Sequence, residues 1–293
     1  MDLRKALQDL SADKAKKQAE AKEARAPLIE VFHSVQGEGR FIGVPMSFVR
    51  VATCPLRCLY CDTPNSYEAP PQVPIRLGPR TLQEANPVRA SRAAELVRQA
   101  QLASAPGGVP ASRGRAGYVS VTGGEPLVFP DFVHAFGMRV RDQGMRLHLE
   151  TAALDPDALQ ACINQVDHLS CDYKLPETLG EPVQKDLRLL PGSGADYGAR
   201  HVRCCEIAIR RGATVDVKIV LTDATQDPSF ERALEQLVPV RDKILLVLQP
   251  VTPFGAANRS LPTRDLERFV ATAQRHGFDV RVLAQMHKQL NLA

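Results

Sequence analysis

From residue 117 to the C-terminus, short apolar runs alternate with amphipathic ones. Strand-like runs fall at 118–121, 146–150, 166–172, 214–221, 243–249 and 279–283. They are rich in β-branched residues and short enough to be strands. Between them, apolar residues recur at helical spacing over 132–142, 156–165, 200–211, 228–238 and 263–275. Asp155-Pro156 and Asp227-Pro228 read as an N-cap followed by the first helical residue. Strands alternating with helices predict an α/β fold of parallel units with right-handed crossovers. In such folds the working groups collect at the C-terminal ends of the strands.

Upstream the pattern changes. Residues 28–35 alternate apolar and polar positions, as a half-buried strand does. Residues 45–51 form a second strand, in which Arg50 is a charge among apolar neighbours. Such a charge is costly unless it is paired, and a guanidinium suits a carboxylate. Residues 64–117 read as an insertion rich in Pro, Arg and Ala, with one helix near 87–103 carried by Val88, Ala93, Leu96 and Val97. Residues 1–27 form a charged extension in which Leu3, Leu7 and Leu10 make only a short stripe. The remaining span, 28–293, reads as a single domain.

Composition narrows the classes. The chain has 293 residues, 44% of them hydrophobic, enough for one substantial core. A net charge of +4 without a clustered basic stretch does not point to nucleic acid. The sequence shows no run apolar and long enough to span a bilayer. Its beginning is charged where a secretory signal needs an apolar stretch. A cytoplasmic protein is expected. Seven cysteines, an odd number with three clustered, suit metal chemistry in a reducing compartment. The vicinal Cys204-Cys205 reads as two small buried residues on a helix rather than a redox pair.

The clustered three are Cys54, Cys58 and Cys61, spaced C-x3-C-x2-C. Three thiolates are one short of a closed zinc site, and they leave one iron of a [4Fe–4S] cube without a protein ligand. Spacing alone leaves zinc and a redox dithiol open. Other polar residues gather where strands end. They are Thr122-Gly123-Gly124-Glu125-Pro126, Glu150-Thr151, Asp172-Tyr173-Lys174 and Gln249-Pro250. Gln36-Gly37-Glu38-Gly39 punctuates the first strand and lets backbone approach a ligand.

C-x3-C-x2-C with Tyr60 before the third cysteine resembles the signature of radical S-adenosylmethionine enzymes. The run from Ser34 to Thr63, SVQGEGRFIGVPMSFVRVATCPLRCLYCDT, and the ending QMHKQLNLA are similar to the 7-carboxy-7-deazaguanine synthase family. The resemblance implies a partial (β/α)6-type barrel, with the extension and the helical insertion as additions. It implies a [4Fe–4S] cluster on Cys54, Cys58 and Cys61, and Mg²⁺ at Thr63. It implies a pterin held by Val35, Gln36, Gly37, Arg50 and Thr122. S-adenosylmethionine would meet Gly124, Asp172, Tyr173, Lys174 and Gln249, with Glu125 countering its ammonium or ordering the loop. The activity implied is conversion of 6-carboxy-5,6,7,8-tetrahydropterin to 7-carboxy-7-deazaguanine with loss of ammonia, through a 5′-deoxyadenosyl radical. The family's partners would be a second copy of the chain and an electron donor such as flavodoxin. The rivals are a glycyl-radical-enzyme activase and a non-enzymatic zinc module. Ala152-Ala153 departs from the family, which often carries Gly there.

Overall fold

The computed structural model describes residues 23–104, 117–180 and 197–292. Most of the extension, where the Leu3–Leu7–Leu10 stripe falls, lies outside the described residues. Strands β1 (Arg25–Ala26), β2 (Leu28–Val35) and β3 (Pro45–Val51) lead into the cysteine loop. Then come β4 (Gln72–Leu77), β5 (Arg80–Ala85), β6 (Val88–Arg89) and helix α1 (Ala90–Ser104). The repeating part follows as β7 (Tyr118–Gly123), α2 (Pro130–Asp142), β8 (Arg146–Thr151), α3 (Pro156–Cys162), β9 (Val166–Tyr173), α4 (Tyr197–Arg210), β10 (Thr214–Leu221), α5 (Asp227–Leu237) and β11 (Ile244–Pro250). The chain closes with α6 (Thr263–Arg275), β12 (Val280–Val282) and the single turn α7 (Met286–Gln289).

One ten-stranded sheet runs β12-β11-β10-β9-β8-β7-β3-β2-β4-β5. Strands β3 and β7 to β12 pair in parallel, as helix-linked units must. This is the open parallel barrel expected from the alternation. Strand β2 pairs antiparallel with β3, and the β4–β5 hairpin extends the sheet beyond it.

The core lies between this sheet and the helices. Helix α1 buries Ala93, Leu96, Val97 and Ala100, and α2 buries Phe132, Val133, Phe136 and Val140. These recur at helical spacing, and each large side chain so buried contributes roughly 1.5–3 kcal/mol. The sheet's other face is unusually polar at its lower end. His168 and Asp216, both fully buried, meet at 2.5 Å, and Ser170 donates to the same carboxylate at 3.0 Å. Burial alone would raise Asp216, but its bonds to His168 and Ser170 prevail and hold it low. His148 stacks on His168 at 5.0 Å, and burial pushes its imidazole down to about 4.

Two readings need correction. Residues 64–117 hold the β4–β5 hairpin as well as the helix, and α1 packs on β2, β3 and β4 as a crossover helix. Val73 and Ile75 are buried on one face of β4, so β4 belongs to the core. Asp155 caps α3 by accepting from the amides of Asp157 and Ala158. Asp227 does not cap α5: Gln226 is the N-cap, and Asp227 is already helical. The Asp227 carboxylate pairs instead with Arg268 on α6.

Candidate active site

The strand ends surround one pocket, and the cysteine loop closes it from the side. Cys54, Cys58 and Cys61 all line it. Their loop is held by backbone contacts rather than by its own regularity. The amide of Thr53 donates to Ser66, and Arg57 donates to the carbonyls of Cys54 and Leu56 at 2.7 Å. Thr53 sits at φ 75°, a strained conformation for a β-branched residue. Burial pushes the Cys54 thiol up to about 12 and raises Cys58 as well.

Gly123 and Gly124 have a steric explanation. Gly123 lies at φ 104°, and a Cβ on Gly124 would stand 2.2 Å from the Thr53 carbonyl oxygen. The loop after β7 therefore presses directly on the cysteine loop. Its Gly124 amide donates to Val51 and its Glu125 amide to Thr53. The Glu125 carboxylate accepts from Thr151 at 2.5 Å, from Ala152 at 2.8 Å and from Leu127 at 3.0 Å. Of the two roles expected for Glu125, this geometry is the ordering of the loop. Gly124→Ala is expected to cost about 1–3 kcal/mol and to lower iron loading. Urea unfolding and iron content of the purified variant check both.

Strand register brings the other side chains to one level. Arg50 aligns with Thr122, and Asp172 with Lys218. Arg50 forms an ion pair with Glu30, its Nε 3.0 Å from the carboxylate, while Nη1 reaches toward the Thr63 hydroxyl at 3.5 Å. Gln36 and Thr122 both donate to Glu150, at 2.6 and 2.7 Å. Thr63 donates to Asp62 at 2.9 Å. Lys174 pairs with Asp172 at 2.6 Å and donates to Tyr60 at 3.2 Å. Burial would lower Lys174, but Asp172 prevails and keeps it protonated. Val35, Gly37, Gly124 and Gln249 line the same pocket.

Tyr173 does not. Side chains alternate along a strand, so with Asp172 and Lys174 facing inward Tyr173 must face the helices. Its hydroxyl bonds Gln236, and its ring packs on Tyr197 and His201.

Residues not assigned from sequence complete the wall. Lys218 forms an ion pair with Glu38 and lies 3.5 Å from Asp172. Gln285 donates to Glu38 at 2.7 Å and to Asp62 at 3.3 Å, and Lys288 pairs with Asp62 at 3.0 Å. The C-terminal segment thus roofs the pocket. Gly37 permits this, because any Cβ there would strike the His287 ring at 2.1 Å. Glu38, Asp62 and His287 also bring one ligand atom each within 4.8 Å of one another.

The radical SAM superfamily model matches residues 49–237. A 7-carboxy-7-deazaguanine synthase of Geobacter sulfurreducens is 35% identical over 268 residues, covering 90% of this chain and 96% of that one. The chain belongs to the radical SAM superfamily, in its 7-carboxy-7-deazaguanine synthase family. The family's synthase from Methanopyrus kandleri is 33% identical, covering 88% of this chain and 91% of its own. A crystal structure of QueE from Escherichia coli has the same fold, with TM-score 0.52 and 19% identity over 90% of this chain and 95% of that one.

Radical SAM membership brings a [4Fe–4S] cluster and S-adenosylmethionine, and the donor set fits both. Three thiols on one loop line a common pocket and would hold three irons of a cube, leaving the fourth without a protein ligand. Two buried oxygens facing that pocket, Asp172 Oδ1 and Gln249 Oε1, have no hydrogen-bond partner. Such orphans are rare unless a ligand completes them. No helix among the described residues is long and apolar enough to cross a membrane.

Proposed function

We propose that this enzyme converts 6-carboxy-5,6,7,8-tetrahydropterin to 7-carboxy-7-deazaguanine, releasing ammonia, as a step toward the queuosine precursor. The observation that carries the reading is the placement of Arg50 and the Glu150-centred hydrogen bonds in the same pocket as the three thiols. Arg50, paired with Glu30, lines the pocket, where a guanidinium would suit the substrate carboxylate. Gln36 and Thr122, fixed by Glu150, present polar edges for the pterin, beside the backbone of Val35 and Gly37. Thr63 offers a hard oxygen ligand for Mg²⁺.

Cys54, Cys58 and Cys61 would hold the cluster. Lys174, kept cationic by Asp172, would meet the carboxylate of S-adenosylmethionine. Gly124 would offer backbone to its amino group, and Gln249 would meet its adenosine portion. Bound, the cluster and S-adenosylmethionine supply the one-electron chemistry that takes a hydrogen atom from the substrate. The protein's share is to hold the pterin in register and keep water out beneath the C-terminal roof. The electron donor is of the flavodoxin class, and the working form is a homodimer.

The test is anaerobic turnover with the carboxypterin, reductant and S-adenosylmethionine, with and without Mg²⁺. Deazaguanine product and ammonia are expected, with rate rising on Mg²⁺ addition. Product that forms only when a protein substrate is supplied would favour an activase and overturn the reading. Arg50→Ala is expected to lower kcat/KM for the carboxypterin by roughly 10²-fold, the loss of a charge-assisted contact. Steady-state kinetics check this, with unchanged iron content as the control.

A further inference from the structure

A sulfur and imidazole trio lies behind the pocket wall, on the far side of β9. Cys171 precedes Asp172 on that strand, so its side chain points away from the pocket. His201 and Cys205 are four residues apart on α4 and share the helix face that meets β9. All three are fully buried. The sulfurs of Cys171 and Cys205 are 3.9 Å apart. These sulfurs and one His201 ring nitrogen all lie within 4.8 Å of one another.

The imidazole is the telling member. Neither ring nitrogen of His201 has a hydrogen-bond partner. Leaving a buried polar group unsatisfied costs about 1–3 kcal/mol. The neighbouring tyrosines do not relieve it, since Tyr173 bonds Gln236 and the Tyr197 hydroxyl serves the backbone around Lys174. One ring nitrogen lies within 4.8 Å of each sulfur. Simple packing of small residues accounts for the cysteines but not for this histidine.

We propose that Cys171, Cys205 and His201 bind one zinc ion through three protein ligands, at a site separate from the cluster. Zinc–sulfur bonds of about 2.3 Å at a tetrahedral angle set two sulfurs about 3.8 Å apart, close to the spacing found here. Two thiolates cancel the charge of Zn²⁺, and a neutral imidazole adds none. A neutral site suits the apolar layer between sheet and helices. Binding releases the two thiol protons. Cys204 is turned away, toward the Ala153 carbonyl at 3.5 Å. Among the described residues no fourth His, Cys, Asp or Glu joins the trio, so the protein supplies three ligands. The ion would pin α4 to the strand that delivers Asp172 and Lys174.

The site does not depend on the substrate, so its failure and that of the proposed reaction are separable. The experiment uses the full chain, purified anaerobically with its cluster and then incubated with zinc chloride and desalted. Zinc and iron are counted by mass spectrometry, and the zinc K-edge spectrum gives its ligands. About one zinc per chain is expected, with two sulfurs near 2.3 Å and a nitrogen near 2.0 Å. Cys205→Ser and His201→Gln should lose at least about ten-fold in zinc while keeping iron. Cys58→Ala should do the reverse. Should either α4 variant fail to fold, the unmodified chain decides through its zinc count and spectrum. Folded, iron-loaded protein with less than about a tenth of a zinc per chain would overturn the proposal. So would zinc that disappears with Cys58, or a Cys171–Cys205 disulfide in the anaerobic protein.

Discussion

Cys58→Ala is expected to give a folded, colourless protein whose iron falls from about four per chain to near none, with turnover below detection. The fold should survive because burial keeps the Cys58 thiol protonated until metal arrives, so the alanine removes a small neutral group. A truncation of that size costs about 1 kcal/mol. Activity should not survive, because two thiolates cannot hold the cube with a single defined open iron. Iron and sulfide analysis beside an unfolding curve separates the two effects. A zinc-binding module would behave differently, since it would be colourless and free of sulfide before any substitution.

Glu38→Ala should be the most destabilising change in the pocket wall, by about 3–5 kcal/mol. It leaves the Lys218 ammonium buried, with Asp172 at 3.5 Å as its remaining partner, and Asp172 already serves Lys174. For a chain this size the melting temperature should fall by roughly 10 °C. The pair also sets an acid limit. Burial would raise the Glu38 carboxyl, but Lys218 and Gln285 outweigh it and bring it from 4.5 down to about 2. A depressed carboxyl stabilises the fold fully above its unfolded value and loses that contribution as pH falls through its folded value. Between about pH 4.5 and 2, up to about 3 kcal/mol is therefore withdrawn. In Glu38→Gln this part of the pH dependence should vanish, so the two stability curves converge toward pH 2. Urea titrations of both proteins across that range measure it.

The barrel was readable because its strands and helices keep different periods, and the observed ends fall within three residues of those expected. The β4–β5 hairpin was not read. Val73, Ile75 and Leu77 do alternate, but Pro70, Pro71 and Pro74 mask the pattern, and Pro74 is tolerated because β4 lies near the sheet edge. Sequence proximity to Asp172 and Lys174 suggests Tyr173 for the pocket, but the alternation that governs a strand turns it to the other face. Lys218 carries a signal like that of Arg50, a charge in the otherwise apolar run of β10, which it shares with Asp216. Gln285 and His287 could not be placed from local pattern. Their role depends on a fold that returns the chain's end to Gly37.

That return has a bearing on the order in which the molecule is made. Glu38 and Gln285 are separated by 247 positions yet share a hydrogen bond. During synthesis the three loop thiols emerge long before the segment that covers them. Until residue 285 arrives, the thiols stand open to whatever delivers iron and sulfide, and equally to oxidants. Enclosure of the pocket therefore waits until 247 residues beyond Glu38 have been made.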